Sequence, residues 1–147
     1  MKKEILNVVA ILSVIITMSI AGFAGLSRNL EANIPFDFMV NGKKLSAGKY
    51  TVTSGGTQKV LHIRSWKLKQ GAFAIARELE VSADNKPRLI FHRYGDQYFL
   101  AKVIGSAGAI ELPKSKAEQK AEKSRRDDLT MNDAAPEIIT VSAQVGQ

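Results

Sequence analysis

The chain contains no cysteine. That excludes a disulfide framework, a zinc cluster built on thiolates and a lipid attached to a cysteine at a cleavage point. Stability therefore has to come from an ordinary apolar core. Histidine is scarce too: His62 and His92 are the only two, with no HExxH and no paired spacing. A zinc site of standard spacing is thereby excluded. There is no Gly-x-Ser-x-Gly elbow. Gly55-Gly56 lacks the following helix and lysine that a phosphate cradle needs. On these grounds we assign no catalytic residue, no metal and no cofactor.

The N-terminal segment carries the plainest signal. Lys2 and Lys3 precede an apolar run from Ile5 to Ile20, and Gly22-Phe23-Ala24 follows with small residues. This is the layout of an export signal, cleaved after Ala24. The rival reading is a retained anchor. The uncharged stretch Ile5–Ser27 has 23 residues and would reach roughly 34 Å as a helix, enough to cross a bilayer core. Asn7, Ser13, Thr17 and Ser19 dilute it and favour cleavage. In both readings the remainder is exported, periplasmic or secreted if cleaved and inner-membrane anchored if not.

Cleavage leaves 123 residues, the scale of one domain. Charge is uneven along them. Leu30–Leu112 holds 12 Lys/Arg against 7 Asp/Glu, Lys114–Arg126 holds 6 against 2, and Asp127–Gln147 holds none against 4. A basic body favours anionic partners by long-range attraction. Outside the cytoplasm these are envelope polymers, acidic glycans or lipid headgroups rather than nucleic acid. The bland alternative is a basic surface that only confers solubility.

Along the mature chain, Ala32, Ile34, Phe36, Phe38 and Val40 alternate with period two, a strand with one apolar face. Pro35 makes it an edge strand or one entered after the proline. Asn41-Gly42 signals a hairpin. Leu45–Gly48 is a second tight connection, Tyr50–Thr53 and Val60–Ile63 are strands, and Asp84–Pro87 is a turn. Ala72–Val81 alternates like a strand but is rich in helix formers; its β-rich surroundings tip it to strand. Arg88–Tyr94 and Gln97–Ile104 form the clearest hairpin, closed by Gly95-Asp96. That register sets Tyr94 opposite Gln97, Arg93 opposite Tyr98, His92 opposite Phe99 and Phe91 opposite Leu100. One face collects Leu89, Phe91, Tyr98 and Leu100, and the other Ile90, His92, Tyr94, Phe99, Ala101 and Val103. Both are apolar, so the hairpin should be central and covered on both sides.

The composition changes at Pro113. Ser115–Arg126 is a helix opened by a capping box, Ser115 with Glu118. Its only apolar residues are Ala117 and Ala121, so it is expected not to dock. The acidic stretch after it reads as mostly disordered, with Ile138–Val141 as one further candidate strand. The expected organisation is a signal at 1–24, a β-domain at 30–112, a basic charged helix at 113–126 and an acidic, mostly disordered tail at 127–147. The fold class is all-β, a small antiparallel sandwich or barrel of about seven strands with a filled core.

Glu31-Ala32-Asn33-Ile34-Pro35-Phe36-Asp37-Phe38, Asn41-Gly42-Lys43 and Leu45-Ser46-Ala47-Gly48-Lys49-Tyr50-Thr51-Val52 resemble the opening of a family of small exported bacterial β-rich proteins. Phe91-His92-Arg93-Tyr94-Gly95-Asp96-Gln97-Tyr98-Phe99-Leu100 and Glu111-Leu112-Pro113-Lys114-Ser115 resemble its later motifs. The resemblance spans residues 31–120. It implies an exported β-rich domain and brings no catalytic residue with it.

Two groups of residues remain as candidates for binding. Trp66 with Arg64, Lys67 and Lys69 makes a basic, aromatic loop that suits a glycan or a membrane interface; the plain alternative is a tryptophan covering the barrel end. Arg93 opposite Tyr98 suits a cross-strand cation–π pair of ~0.5–1 kcal/mol, and secondarily an acidic sugar. His92 with Asp96 is the single pairing of catalytic residue types. Asp96 sits in a turn, no hydroxyl nucleophile lies nearby in sequence, and the plain reading is a packed histidine and a turn aspartate. The sequence therefore points first to a non-enzymatic exported module of the cell envelope. A membrane-anchored version comes second, and a small hydrolase or glycan-processing enzyme around His92 third.

Overall fold

The structure is a computed structural model, and it describes residues 29–55, 60–79, 86–106, 108–128 and 135–146. The expected export signal and half of the turn at Asp84–Pro87 lie outside these residues. Eleven strands form one sheet that is nearly closed into a barrel. They are β1 (Leu30–Ile34), β2 (Phe38–Val40), β3 (Lys43–Leu45), β4 (Gly48–Gly55), β5 (Val60–Ser65), β6 (Gln70–Ile75), β7 (Arg77–Leu79), β8 (Arg88–Tyr94), β9 (Gln97–Gly105), β10 (Gly108–Glu111) and β11 (Glu137–Val145). The helix α1 (Lys116–Asp128) precedes the last strand. Around the wall the order is β3-β2-β9-β8-β11-β1-β4-β5-β6. The seam is closed by β7, which follows β6, pairs with β10, and through β10 returns to β9.

All-β architecture and a filled interior agree with the sequence; the strands exceed the expected seven, and the sheet is not wholly antiparallel, because β2 pairs with β9 in parallel. Pro35 explains part of the excess. What reads as one strand across Ala32–Val40 is two, with Pro35–Asp37 as the corner between β1 and β2. The proline sits where no ladder needs its missing N–H. Hence β1 is no edge: it pairs with β4 on one side and β11 on the other. Asn41 and Gly42 have φ of 49° and 82°, the paired left-handed conformations of a tight hairpin turn. The β-assignment of the ambiguous stretch holds for β6 and β7.

The candidate strand Ile138–Val141 is present and longer than expected, so residues 137–145 are not part of a disordered tail. They form β11, which inserts between β8 and β1 and pairs with both. Ile139 and Val141 pack on the core and Ala143 is buried in it. An alternation of aliphatic and polar residues is enough for a strand when two unpaired edges await it, and acidic composition upstream does not prevent that.

The β8–β9 hairpin keeps the register read from sequence from Tyr94–Gln97 to Phe91–Leu100. A bulge between Ile90 and Phe91 then shifts it, so Leu89 faces Val103. Ala101 is the extra residue, and Val103 moves to the core face with Leu89. Inside, Phe91 meets Phe36 and Phe38 edge-on at centroid distances of 5.2 and 5.5 Å, and Phe38 meets Tyr50 at 5.1 Å.

The second face of this hairpin is covered by α1, against the expectation that the helix would not dock. Tyr94, Phe99 and Ala101 are buried outside the main core. The helix has no large apolar residue, and what anchors it is polar. Glu118 is 4% exposed, and its Oε1 lies 2.7 Å from His92 Nδ1. Ser115 Oγ accepts from the Glu118 N–H at 3.2 Å, so the cap forms on one side. The Glu118 carboxylate does not complete a capping box but turns to His92.

Candidate functional site

Strand β6 inverts the usual pattern of a half-buried strand. Ala72 and Ala74 point inward, whereas Phe73 and Ile75 point outward at 63% and 75% exposure. The inner wall beside them is already filled by Tyr50, Val52, Leu61 and Ile63. Small residues fit what space is left, as alternating small and large residues do in narrow barrels. Packing therefore explains the alanines but not the large apolar groups turned to water.

Register builds the outer wall row by row. Thr53 is opposite His62, and His62 is opposite Phe73. The His62 and Phe73 rings meet edge to face at 4.3 Å. Thr53 Oγ1 donates to Asn29 Oδ1 at 3.1 Å. The neighbouring row runs Glu31, Thr51, Arg64, Gly71. A Cβ on Gly71 would sit 2.9 Å from the Ile63 carbonyl oxygen, so this position stays bare and leaves a low floor beside Arg64. Trp66 is 69% exposed, and the Arg64 guanidinium lies over its ring, 3.4 Å from the centroid. Lys69 closes the turn with a φ of 51°. These elements enclose a groove of about 820 Å³ lined by Asn29, Thr51, Arg64, Trp66, Lys69 and Phe73 among others.

Its charge is uncompensated. Lys44, Lys49, Arg77, Arg93, Lys102, Lys114 and Arg126 each pair with a carboxylate. Among the described residues, no carboxylate lies within ion-pair distance of Arg64, Lys67 or Lys69. Among the described residues, three cations and an exposed tryptophan thus share one hairpin with no carboxylate in ion-pair contact.

The sequence candidates separate accordingly. Trp66 and Lys69 line the groove; Lys67 is exposed in the same turn but outside the lining. Trp66 does not cover the barrel end. Arg93 and Tyr98 do form the expected cation–π pair, 5.4 Å from guanidinium carbon to centroid. They are otherwise engaged: Arg93 donates to the Gly95 carbonyl at 2.8 Å and pairs with Glu137 at 3.2 Å, and Tyr98 stacks on Phe36 at 4.0 Å. Strand directions put the turns at 66–69 and 95–96 at the same barrel end, yet neither Arg93 nor Tyr98 lines the groove. Sequence reading missed Asn29, Thr51, Thr53, His62 and Phe73. The available signal was the alternation of Ala72 and Ala74 with Phe73 and Ile75.

His92 and Asp96 are not brought together as a catalytic pair. His92 bonds Glu118 beneath α1, while Asp96 is exposed in its turn. Close by, burial raises the Tyr94 hydroxyl above its ordinary pKa, and its oxygen has no hydrogen-bond partner among the described residues. The Lys114 ammonium is held charged chiefly by its hydrogen bond to Glu122, whose carboxyl it lowers in turn. These groups read as the polar anchoring of a helix.

Searches of protein-family models, curated proteins and solved structures find no match to the chain. Among the described residues, no helix is long and apolar enough to cross a membrane.

Proposed function

We propose that this chain is a non-enzymatic, exported β-barrel module of the cell envelope that binds an anionic partner on the outer wall of β4, β5 and β6. One observation carries the binding reading: Arg64, Lys67 and Lys69 have no carboxylate partner among the described residues and stand beside the exposed Trp66 and Phe73. Export rests on Lys2, Lys3, the apolar run and Gly22-Phe23-Ala24. The membrane-anchored version rests on the 23 uncharged residues Ile5–Ser27.

Trp66 is the only tryptophan in the chain, so its fluorescence reports on this wall directly. Titration with acidic polysaccharide and with anionic vesicles should change its emission. Affinity should fall with salt and with Lys67→Glu or Lys69→Glu, because exposed charges are screened within about 8–10 Å. Binding indifferent to salt and to both substitutions would remove the electrostatic account.

A further inference from the structure

The same groove has features that charge alone does not require, and they narrow the partner's chemistry; this step rests on the binding reading above. A flat patch of lysines would suffice for an anionic surface. Here the cationic group nearest the floor is an arginine stacked on tryptophan, 3.4 Å from guanidinium carbon to centroid. Stacking fixes the guanidinium plane and leaves its N–H fork at the edge, the geometry that takes a carboxylate through two parallel hydrogen bonds. Short polar side chains line the wall next to it. Thr51 faces Arg64 across the β4–β5 pairing, and Thr53 faces His62. Because Thr53 donates to Asn29 Oδ1, the exposed Asn29 amide NH₂ is left to donate outward. Gln70 enters the lining beyond Lys69, although Tyr50 and Ser46 also approach its amide. The remaining boundary is aromatic, Trp66 at one side and Phe73 at the other.

A hydroxylated ring bearing a carboxylate matches all three parts. Its apolar ring face suits Trp66 or Phe73, its hydroxyls suit the threonines and Asn29, and its carboxylate suits Arg64 with Lys69 nearby. A lipid headgroup would use the charges and leave the row of threonines and Asn29 without purpose. Open ends along the wall and a volume of about 820 Å³ admit a run of sugars rather than a single enclosed one. We infer that the β4–β6 groove is a binding site for an acidic polysaccharide of uronate type, with Arg64 stacked on Trp66 as the carboxylate receptor.

The test is a Trp66 fluorescence titration of the purified protein with a polyuronate. The controls are the same polymer with its carboxyls methyl-esterified, an inorganic polyphosphate of equal charge, and phosphatidylglycerol vesicles; calorimetry replaces fluorescence where Trp66 itself is changed. The inference expects saturable binding to the polyuronate, lost on esterification and stronger than to polyphosphate. Arg64→Lys, which keeps the charge but loses the planar fork, should weaken it ~10-fold. Thr51→Val with Thr53→Val should weaken it while far-ultraviolet circular dichroism is unchanged. Equal binding of polyphosphate and polyuronate, with Arg64→Lys silent, would overturn the uronate assignment and leave a general anion site. Binding to vesicles alone would overturn it as well and leave the broader reading intact. No binding to any of the probes would overturn both.

Discussion

Removing the Glu118 carboxylate tests what holds α1 to the barrel. Glu118→Ala deletes the 2.7 Å contact to His92 Nδ1 from a site where Glu118 is 4% exposed and the His92 side chain 19%. A hydrogen bond with a charged partner contributes about 1.5–3 kcal/mol. Water can reach the half-buried imidazole once the carboxylate is gone, which moves the expected loss toward the lower end. Alanine returns a few tenths through its better helix propensity, so the net cost is about 1–2 kcal/mol. The Ser115 cap is unaffected, because it is made to the backbone N–H of residue 118. Glu118→Gln keeps an acceptor and should cost about half as much. Urea unfolding of the wild type, Glu118→Ala, His92→Ala and the double variant gives the coupling directly, and hydrogen exchange localises the change to α1 and the outer face of β8–β9. A coupling below about 0.5 kcal/mol, the level of an exposed ion pair, would refute the argument. The helix would then be held by its alanines and the covered aromatics.

Three other outcomes are expected. Phe91→Ala removes a fully buried ring that meets Phe36 and Phe38 and should cost ~3–5 kcal/mol in denaturant unfolding; a loss under ~1 kcal/mol would show that the barrel end collapses around the gap. Lys69 holds a left-handed φ of 51°, so Lys69→Gly should leave stability unchanged or raise it by up to ~1 kcal/mol while weakening anion binding; a clear destabilisation would mean the side chain is structural. Glu111 on β10 bridges Arg77 and Lys102 across the barrel seam, and its carboxyl is held below the ordinary 4.5, chiefly by the Arg77 hydrogen bond. A depressed carboxyl adds stability that is complete above the ordinary value and lost as pH falls through the depressed one. Unfolding midpoints should therefore drop below about pH 4.5, and Glu111→Gln should flatten that acid limb; an unchanged limb would place the acid sensitivity elsewhere.

Local chemistry carried much of the fold into the sequence. Asn41-Gly42 and Gly95-Asp96 set two hairpins because few residues adopt the left-handed turn conformations they require, and the second fixed four cross-strand pairs of β8 and β9. The legible part ends where the chain meets itself at long range. The bulge at Ile90 moves Val103 to the core face, and no residue type announces a bulge there. Likewise Ile138–Val141 reads as a strand from sequence, but its extension to Glu137–Val145 and its place in the sheet depend on the two edges that β8 and β1 offer it. Docking of α1 was invisible to a search for an apolar stripe, since its anchor is one buried carboxylate whose partner lies 26 positions away in sequence.

The candidate site divides in the same way. Basic and aromatic residues can be counted from sequence, which is why Trp66, Lys67 and Lys69 stood out beside Arg93 and Tyr98. Whether a cation is free cannot be counted, because pairing is a property of the folded surface. Arg93 reads as a binding candidate from sequence, but Glu137, from the acidic C-terminal stretch, and the Gly95 carbonyl engage it. Arg64 instead lies on Trp66 beside a glycine that keeps its flank open, with no carboxylate within ion-pair distance among the described residues. Acidic residues of the body and the C-terminal strand neutralise several cations of the barrel, and among the described residues none reaches Arg64, Lys67 or Lys69. A cationic cluster costs self-repulsion in the folded state, and Phe73 and Ile75, mostly exposed, gain little from folding. These two unfavourable features meet on one wall with a satisfied core behind it, and they are what the proposed anionic partner would cover.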